Sequence, residues 1–457
     1  MQAQGGGGGG RGRLAQRAPA DADPSLGHAP REVGDGERRV LGPGGQEEFR
    51  EQFRLARTGP RRGHGARHVN ERHQEHHPIV PRPRPRRTRV LHGRGRITAR
   101  VPSHAPRSRT PAATAPDPRQ PRKEHRPMTD STPKDRPDRT MRALVQTGFG
   151  GPEVLRLDRV PRPSPVPTEI LVRVRAAGVN PVDWKTREGL GAAASLASPP
   201  LVPGWDVAGT VEEVGTGVTL YKPGDAVLGM PWFPRTAGAC AEYVTAPARQ
   251  FAPIPKGLDF DEAAALPLAS LTAWQALVDT ARLRRGERVL VHAASGGVGD
   301  LAVQLAHHIG AHVIATASAS RHAWLRTLGA DEVVDYRNER FEEHVSGVDT
   351  VLDLVGAKDD TSARSLAVLR PGGLLITVPS SGAGDIEERA TAAGVRFTGI
   401  LVEPDGAALR RITALVEEGA LRPHVDAVHP LEKAAEAYAR GEKGGVRGKQ
   451  VLRISEN

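Results

Sequence analysis

The chain has 457 residues, enough for two or three domains, with 64 Lys+Arg against 53 Asp+Glu and a formal charge of +11. That charge is lopsided: residues 1–127 hold 27 basic and 12 acidic residues, leaving 37 and 41 to 128–457, so the basicity belongs to the leading segment. A single cysteine, Cys240, excludes an intrachain disulfide and any four-cysteine metal site, and no run of ~18 apolar residues offers a membrane-spanning helix.

The leading segment opens on Gly5 to Gly10 and runs through Arg/His/Pro-rich stretches such as Pro81-Arg-Pro-Arg-Pro-Arg-Arg87. Few aliphatic residues and no period of 2 or 3.6 mean that it cannot bury enough to offset its ordering entropy. Residues 1–140 are therefore expected to be a disordered basic extension, with the start reassigned to Met128 or Met141. A basic tail can hold nucleic acid through phosphate contacts, but nucleic acid is not the expected partner.

From Met141 the texture is that of a folded protein. Met141 to Gln146 and Ile170 to Ala176 read as strands, the second alternating apolar and basic side chains as a strand with one wet face does. Pro161, Pro163, Pro165 and Pro167 keep the link between them extended. Val207 to Val214 and Ala226 to Leu228 are further short strands between Gly/Pro turns, so residues 141–266 read as a compact β-rich domain. Helices are expected over Asp261 to Leu266 and Leu271 to Ala281. Strands then alternate with helices through about residue 400, the pattern of a parallel sheet. After that come a helix from Ala407 to Glu418, an extended stretch to His429-Pro430, a helix to Arg440 and a last strand, Lys449 to Arg453. Residues 401–457 are expected to return to the first domain.

The most informative stretch is Arg288 to Ala306. The apolar run Val289-Leu290-Val291 suits a strand buried on both faces, and the turn Ala294, Ser295, Gly296, Gly297, Val298, Gly299 leads into an apolar helix. A second strand, His312 to Ala315, follows on schedule. A diphosphate must approach backbone N–H groups at a helix N-terminus, where a Cβ at Gly296 would hold it off. Gly299 lets helix and strand pack closely. The first glycine of the usual G-x-G-x-x-G is Ala294, so it is the strand–turn–helix–strand context that points to a dinucleotide. At the end of the second strand the segment Ser318-Ala-Ser-Arg321 carries hydroxyls and a guanidinium, with no carboxylate before Asp331. Those groups suit a 2′-phosphate, so the expected cofactor is NADPH; a solvated helix residue is the other reading of Arg321.

Six stretches, in order over residues 141–457, resemble the medium-chain dehydrogenase/reductase superfamily, in its zinc-free quinone oxidoreductase (zeta-crystallin-like) branch. They are Ala177 to Lys185, Pro203 to Val211, Leu266 to Ala276, Ala294 to Gly299, Leu328 to Val333 and Arg447 to Lys449. The resemblance implies an α/β protein: a GroES-like catalytic domain over 141–266, a Rossmann NADPH domain over 267–400, and 401–457 rejoining the catalytic part. Zinc-dependent relatives place a cysteine near Val179-Asn180-Pro181 and a histidine in a Gly-His-Glu motif. Here that motif reads Gly204-Trp205-Asp206, so no metal is expected. Without a Lewis acid, a quinone or an α,β-unsaturated carbonyl is a better substrate than an alcohol, because its acceptor carbon is already electrophilic.

By the same resemblance Asn180 and Asp183 are the catalytic candidates, and Trp184 and Lys185 line the substrate mouth. Thr272, Tyr336, Val355, Gly356, Val378 and Lys449 join Ser318, Arg321 and the turn as cofactor contacts. Plain structural roles compete with these: a turn residue for Asn180, a helix-start acid for Asp183, core packing for Trp184 and a solvated edge lysine for Lys449. His292, His307, His308 and His312 read as structural histidines. Two other functions stand beside the reductase: an enoyl-thioester reductase, and an NADPH-binding interaction or RNA-binding protein using the basic tail. A cytoplasmic homodimer paired through sheet edges is expected.

Overall fold

The computed structural model describes residues 140–356, 358–378 and 384–455; apart from Thr140, the expected extension over 1–140 lies outside them. In chain order the strands are β1 Thr140–Gln146, β2 Leu155–Pro161, β3 Glu169–Val179, β4 Val207–Val214, β5 Ala226–Gly229, β6 Tyr243–Pro247 and β7 Phe251–Pro253. They continue as β8 Arg288–Val291, β9 His312–Ala317, β10 Glu332–Asp335, β11 Val348–Asp353, β12 Leu369–Thr377, β13 Arg396–Gly399, β14 Val425–Pro430 and β15 Lys449–Arg453.

Six of these form a parallel sheet in the order β10-β9-β8-β11-β12-β13, a Rossmann arrangement. Its strands are apolar on both faces for a visible reason. Val289, Val291, Val313, Ala315, Leu352 and Ile376 face one core, while Leu290, Ile314, Val351 and Leu375 face the other. Val289, Leu290 and Val291 are fully inaccessible, and burial of each such side chain contributes roughly 1.5–3 kcal/mol.

The other large sheet is GroES-like, β14-β15-β3-β4-β5-β7 with β6 also on β3. Its last strand comes from the end of the chain: β15 runs antiparallel to β3, opposing Val451 to Gly178, and β14 runs parallel to β15. β3 is longer than its sequence pattern indicates. Only Arg173 and Arg175 interrupt its buried positions, and Ala176 to Val179 continue it into the interior.

Several elements differ from expectation. β2 occupies what reads as the start of a proline-rich link, and pairs antiparallel with β1 from Gln146↔Leu155 to Thr140↔Pro161. The stretch expected only as extended before Pro430 is β14, whose partner β15 follows across the helix Ala434–Glu442. β6 and β7 are five and three residues long and end in proline, too short for alternation to be legible. The helix expected over 271–281 is an α-helix, Pro267–Trp274, that passes into a π-helical turn at Gln275–Thr280. The helix Gly406–Glu417 begins where expected, because the Asp405 carboxylate accepts from the N–H groups of Ala407 and Ala408 at 2.8 and 3.0 Å.

Candidate functional site

The turn after β8 leads into the 13-residue helix Gly297–Ile309. Its N-cap, Gly296, has no side chain with which to satisfy the first-turn N–H groups, so these remain available to an anion on the positive end of the helix dipole. Ser295, Gly296, Gly297 and Val298 are half-buried, while Ala294 and Gly299 are buried beneath them. A Cβ on Gly299 would lie 2.5 Å from the Ala293 carbonyl oxygen and 2.6 Å from the Ala294 Cα, so only glycine lets helix and strand approach this closely. A Cβ on Gly296 would meet nothing nearer than 3.4 Å, so it would project into open space over the turn. The arrangement fits a dinucleotide diphosphate.

Along β9 the chain reaches Ser318, whose hydroxyl lies 3.3 Å from that of Ser320, and Arg321, whose Nη2 donates to the Gly445 carbonyl at 3.0 Å. Tyr336 is exposed at the end of β10 with the Arg337 guanidinium 5.9 Å from its ring. The other expected cofactor contacts are engaged within the protein. Val355 and Gly356 donate their N–H groups to Asp353 Oδ1 at 2.8 and 3.0 Å, and Val378 donates to the Asp353 carbonyl at 3.1 Å. Thr272, buried, donates its hydroxyl to the Leu268 carbonyl one turn back in its own helix at 2.7 Å.

The segment before β15 crosses the turn. Gly448 donates its N–H to the Ser295 carbonyl at 2.9 Å, and the Lys449 stem lies where a Cβ on Gly297 would sit, 2.5 Å from Lys449 Cδ. Lys449 is not a solvated edge residue; it is 5% exposed. Its three ammonium hydrogens go to the Val179 carbonyl at 3.0 Å, Asn180 Oδ1 at 2.5 Å and Asp206 Oδ2 at 3.1 Å. Asp206 is fully buried and also accepts from the Leu268 N–H at 2.7 Å and from Asn180 Nδ2 at 2.9 Å. The buried charges are thus paired and hydrogen-bonded, the condition under which burial is tolerated. Gly178 makes room for them: its Cβ would fall 2.6 Å from Asp206 Oδ2. Sequence reasoning missed Asp206. It sees that residue only as the group standing where a zinc relative has glutamate, and its partner lies 243 residues away.

Asn180 therefore faces inward, 1% exposed, with its amide oxygen on Lys449 and its amide nitrogen on Asp206. It opens the helix Pro181–Arg187, where its backbone N–H donates to Asp183 Oδ2 at 2.7 Å. That contact satisfies one oxygen of Asp183; the other, Oδ1, is buried without a partner among the described residues. Burial pushes the Asp183 carboxyl up to about 7, against the lowering effects of the Asn180 N–H and of Lys449. Trp184 lies on Gly441, where a Cβ would meet its ring at 2.7 Å, so packing against the helix Ala434–Glu442 is its visible contact. Lys185 sits beside the Gly191 loop.

At the positions where zinc relatives carry ligands, Trp205 packs edge-on against Phe233 and donates its indole N–H to the Arg235 carbonyl at 2.7 Å. Among the described residues no three His, Cys, Asp or Glu side chains gather in a way that could hold a metal ion. His292 is buried between Thr316 and Ser365, at 3.1 and 3.0 Å, and burial lowers it to about 4. His312 lies 2.6 Å from Glu332. Among the described residues no helix is long and apolar enough to cross a membrane.

An uncapped helix N-terminus on a parallel sheet, crossed by the segment that leads into the last strand of a second, β-rich sheet, has the two-part layout of a dinucleotide-binding protein. Residues 166–256 match the alcohol dehydrogenase GroES-like domain family and residues 328–452 the zinc-binding dehydrogenase family. The chain is 35% identical to the quinone oxidoreductase of Rattus norvegicus over 327 residues, 68% of this chain and 97% of that one. It is 35% identical to the chloroplastic NADPH-dependent alkenal/one oxidoreductase of Arabidopsis thaliana over 323 residues, 68% of this chain and 79% of that one. The quinone oxidoreductase structure from Coxiella burnetii superposes with a TM-score of 0.65 at 37% identity, covering 69% of this chain and all of that one. The chain belongs to the medium-chain dehydrogenase/reductase superfamily, in its quinone oxidoreductase branch. It is an oxidoreductase of small molecules that uses a nicotinamide cofactor.

Proposed function

We propose that this protein is an NADPH-dependent, zinc-independent reductase of quinones or α,β-unsaturated carbonyls. The observation that carries the reading is the Lys449–Asp206–Asn180 cluster. The residues standing at two zinc-ligand motifs are joined to each other and to the dinucleotide turn by a buried lysine. Bound NADPH supplies a hydride to an acceptor carbon that is already electrophilic. The chain's contribution is binding and placement. The turn from Ala294 to Gly299 holds the diphosphate; Ser318 and Arg321 hold the 2′-phosphate, with Tyr336 beside them. Thr272, Val355, Gly356 and Val378 shape the wall of the cleft. Lys449 and Asn180 fix the floor of the mouth relative to the turn, and Trp184 and Lys185 border it. Because all three ammonium hydrogens of Lys449 are engaged, it acts as a fixed charge and not as a proton donor.

Among the described residues edge strand β13 is paired on one side only, with β12, and offers the other to a second copy as a homodimer; a reducing, cytoplasmic compartment fits the free thiol of Cys240. The test of function is NADPH oxidation against a benzoquinone, a naphthoquinone, an alkenal and an enoyl thioester, with and without a chelator. Turnover of a quinone or the alkenal, unaffected by the chelator, is expected. Turnover of the thioester alone makes the protein an enoyl-thioester reductase, and loss of activity on chelation refutes the zinc-free mechanism.

A further inference from the structure

Reduction of a conjugated carbonyl leaves an enolate after hydride transfer, and something must protonate it. Lys449 has no free proton, and both polar ends of the Asn180 amide are used within the cluster. Two other acids lie nearby in the same core, Cys240 and Tyr438, their Sγ and Oη 3.9 Å apart. Burial raises both well above their ordinary values, so neither releases a proton near neutrality. Asp183 is different in geometry as well as in acidity. Its carboxyl is held on one side by the Asn180 N–H, while Oδ1 has no partner among the described residues.

Asp183 also lines a small cavity of about 10 Å³, room for one water molecule. Thr186 stands one turn along the same helix and lines the cavity too. The remaining walls come from Leu196, from Leu201 to Trp205 and from Thr236-Ala237. The lining is mostly apolar, with Asp183, Thr186 and Thr236 as its polar side chains; an orphaned carboxyl oxygen on a residue lining such a water-sized space is a place where a water completes the hydrogen bonding.

We propose that Asp183, through a water held in this cavity with Thr186, supplies the proton that completes carbonyl-conjugate reduction. The proposal rests on the reductase reading above. The balance is simple. Hydride adds two electrons and one hydrogen to the acceptor carbon, leaving an enolate; the Asp183 O–H bond breaks and its proton passes through the water to the enolate. Asp183 is left as a carboxylate and regains a proton from solvent. The groups that face this carboxyl set its proton affinity: Lys449 lowers it, Asp206 and burial raise it, and the result, about 7, is where a general acid is most useful. Cys240 and Tyr438 also face Asp183, both in their neutral forms. Arg187, at the far end of the same helix, is ion-paired to Glu188 and Glu442.

The experiment has two arms. In the first, the protein without coenzyme is titrated through neutrality by infrared spectroscopy. A protonated-carboxyl band that vanishes around pH 7 and is absent from Asp183→Asn is expected; a band that does not change across this range, or that persists in the variant, overturns the assignment. In the second, alkenal reduction is followed against pH in water and deuterium oxide. Wild-type kcat falls above the Asp183 titration and shows a solvent isotope effect, and Asp183→Asn lowers kcat about 100-fold with KM little changed. Thr186→Val, which leaves the carboxyl in place but removes the acceptor of the Ala192 N–H at 3.2 Å, lowers kcat several-fold, and urea unfolding of both variants separates a folding defect from the loss of turnover. Undiminished kcat with an unaltered pH profile in both variants refutes the proposal. No turnover of any acceptor by the wild type refutes the reductase reading instead, and the infrared arm still reports on Asp183.

Discussion

Replacing Lys449 with methionine roughly keeps the length of the side chain and removes its charge together with its three donors. Asp206, fully buried, then retains the Leu268 N–H at 2.7 Å and the Asn180 amide at 2.9 Å but loses its cationic partner. Breaking a buried pair from one side costs about 3–5 kcal/mol, and two surviving hydrogen bonds place Lys449→Met near the low end, about 3 kcal/mol. Asp206→Asn leaves the ammonium with the Val179 carbonyl and Asn180 Oδ1, so its cost is similar, again about 3 kcal/mol. With both charges gone no buried charge is left unpaired, though the Val179 carbonyl and Asn180 Oδ1 lose their donor, and the double variant should cost about 4 rather than about 6 kcal/mol, a coupling of about 2 kcal/mol. Urea unfolding of the four proteins, followed by circular dichroism, measures the cycle. Costs that add to within about 0.5 kcal/mol, or single costs under about 1 kcal/mol as for exposed pairs, refute the claim that Lys449 and Asp206 form a coupled buried pair.

Arg321→Asp should raise KM for NADPH at least about 10-fold while changing that for NADH little, since one charge-assisted contact to phosphate is worth over about 1.4 kcal/mol; equal losses with both coenzymes remove the 2′-phosphate role. Gly299→Ala drives a Cβ against backbone atoms at 2.5 and 2.6 Å, so it should destabilise by about 1–3 kcal/mol and weaken coenzyme binding, read by unfolding and by nucleotide fluorescence titration. His292 is held at about 4 in the folded chain, whereas the unfolded chain takes up the proton near its ordinary value of 6.5. Stability is therefore lost as pH falls through that interval, by a total on the order of 3 kcal/mol, and His292→Asn should flatten this part of the urea-midpoint profile.

Local pattern alone determined the parallel sheet and its turn. β8 reads as a doubly buried strand because Val289, Leu290 and Val291 are apolar without alternation, and the glycines after it have no other economical explanation than a close approach of backbone. β4 and β15 were legible to the residue for the same reason: hydrophobic period is a property of neighbours in the chain. Tertiary structure decided what depends on residues far apart. β14 is a strand only because β15 lies beside it, and β6 is one because β3 does. Asn180 and Lys449 stood out in the sequence as separate candidates, yet nothing in the spacing of either shows that one ammonium reaches Asn180, Asp206 and the turn at once. Nor could it show that an acid at a helix start would be left with one bare oxygen beside a cavity. Charge pairing and desolvation act through space, and their outcome at these positions is set by packing that no local pattern encodes.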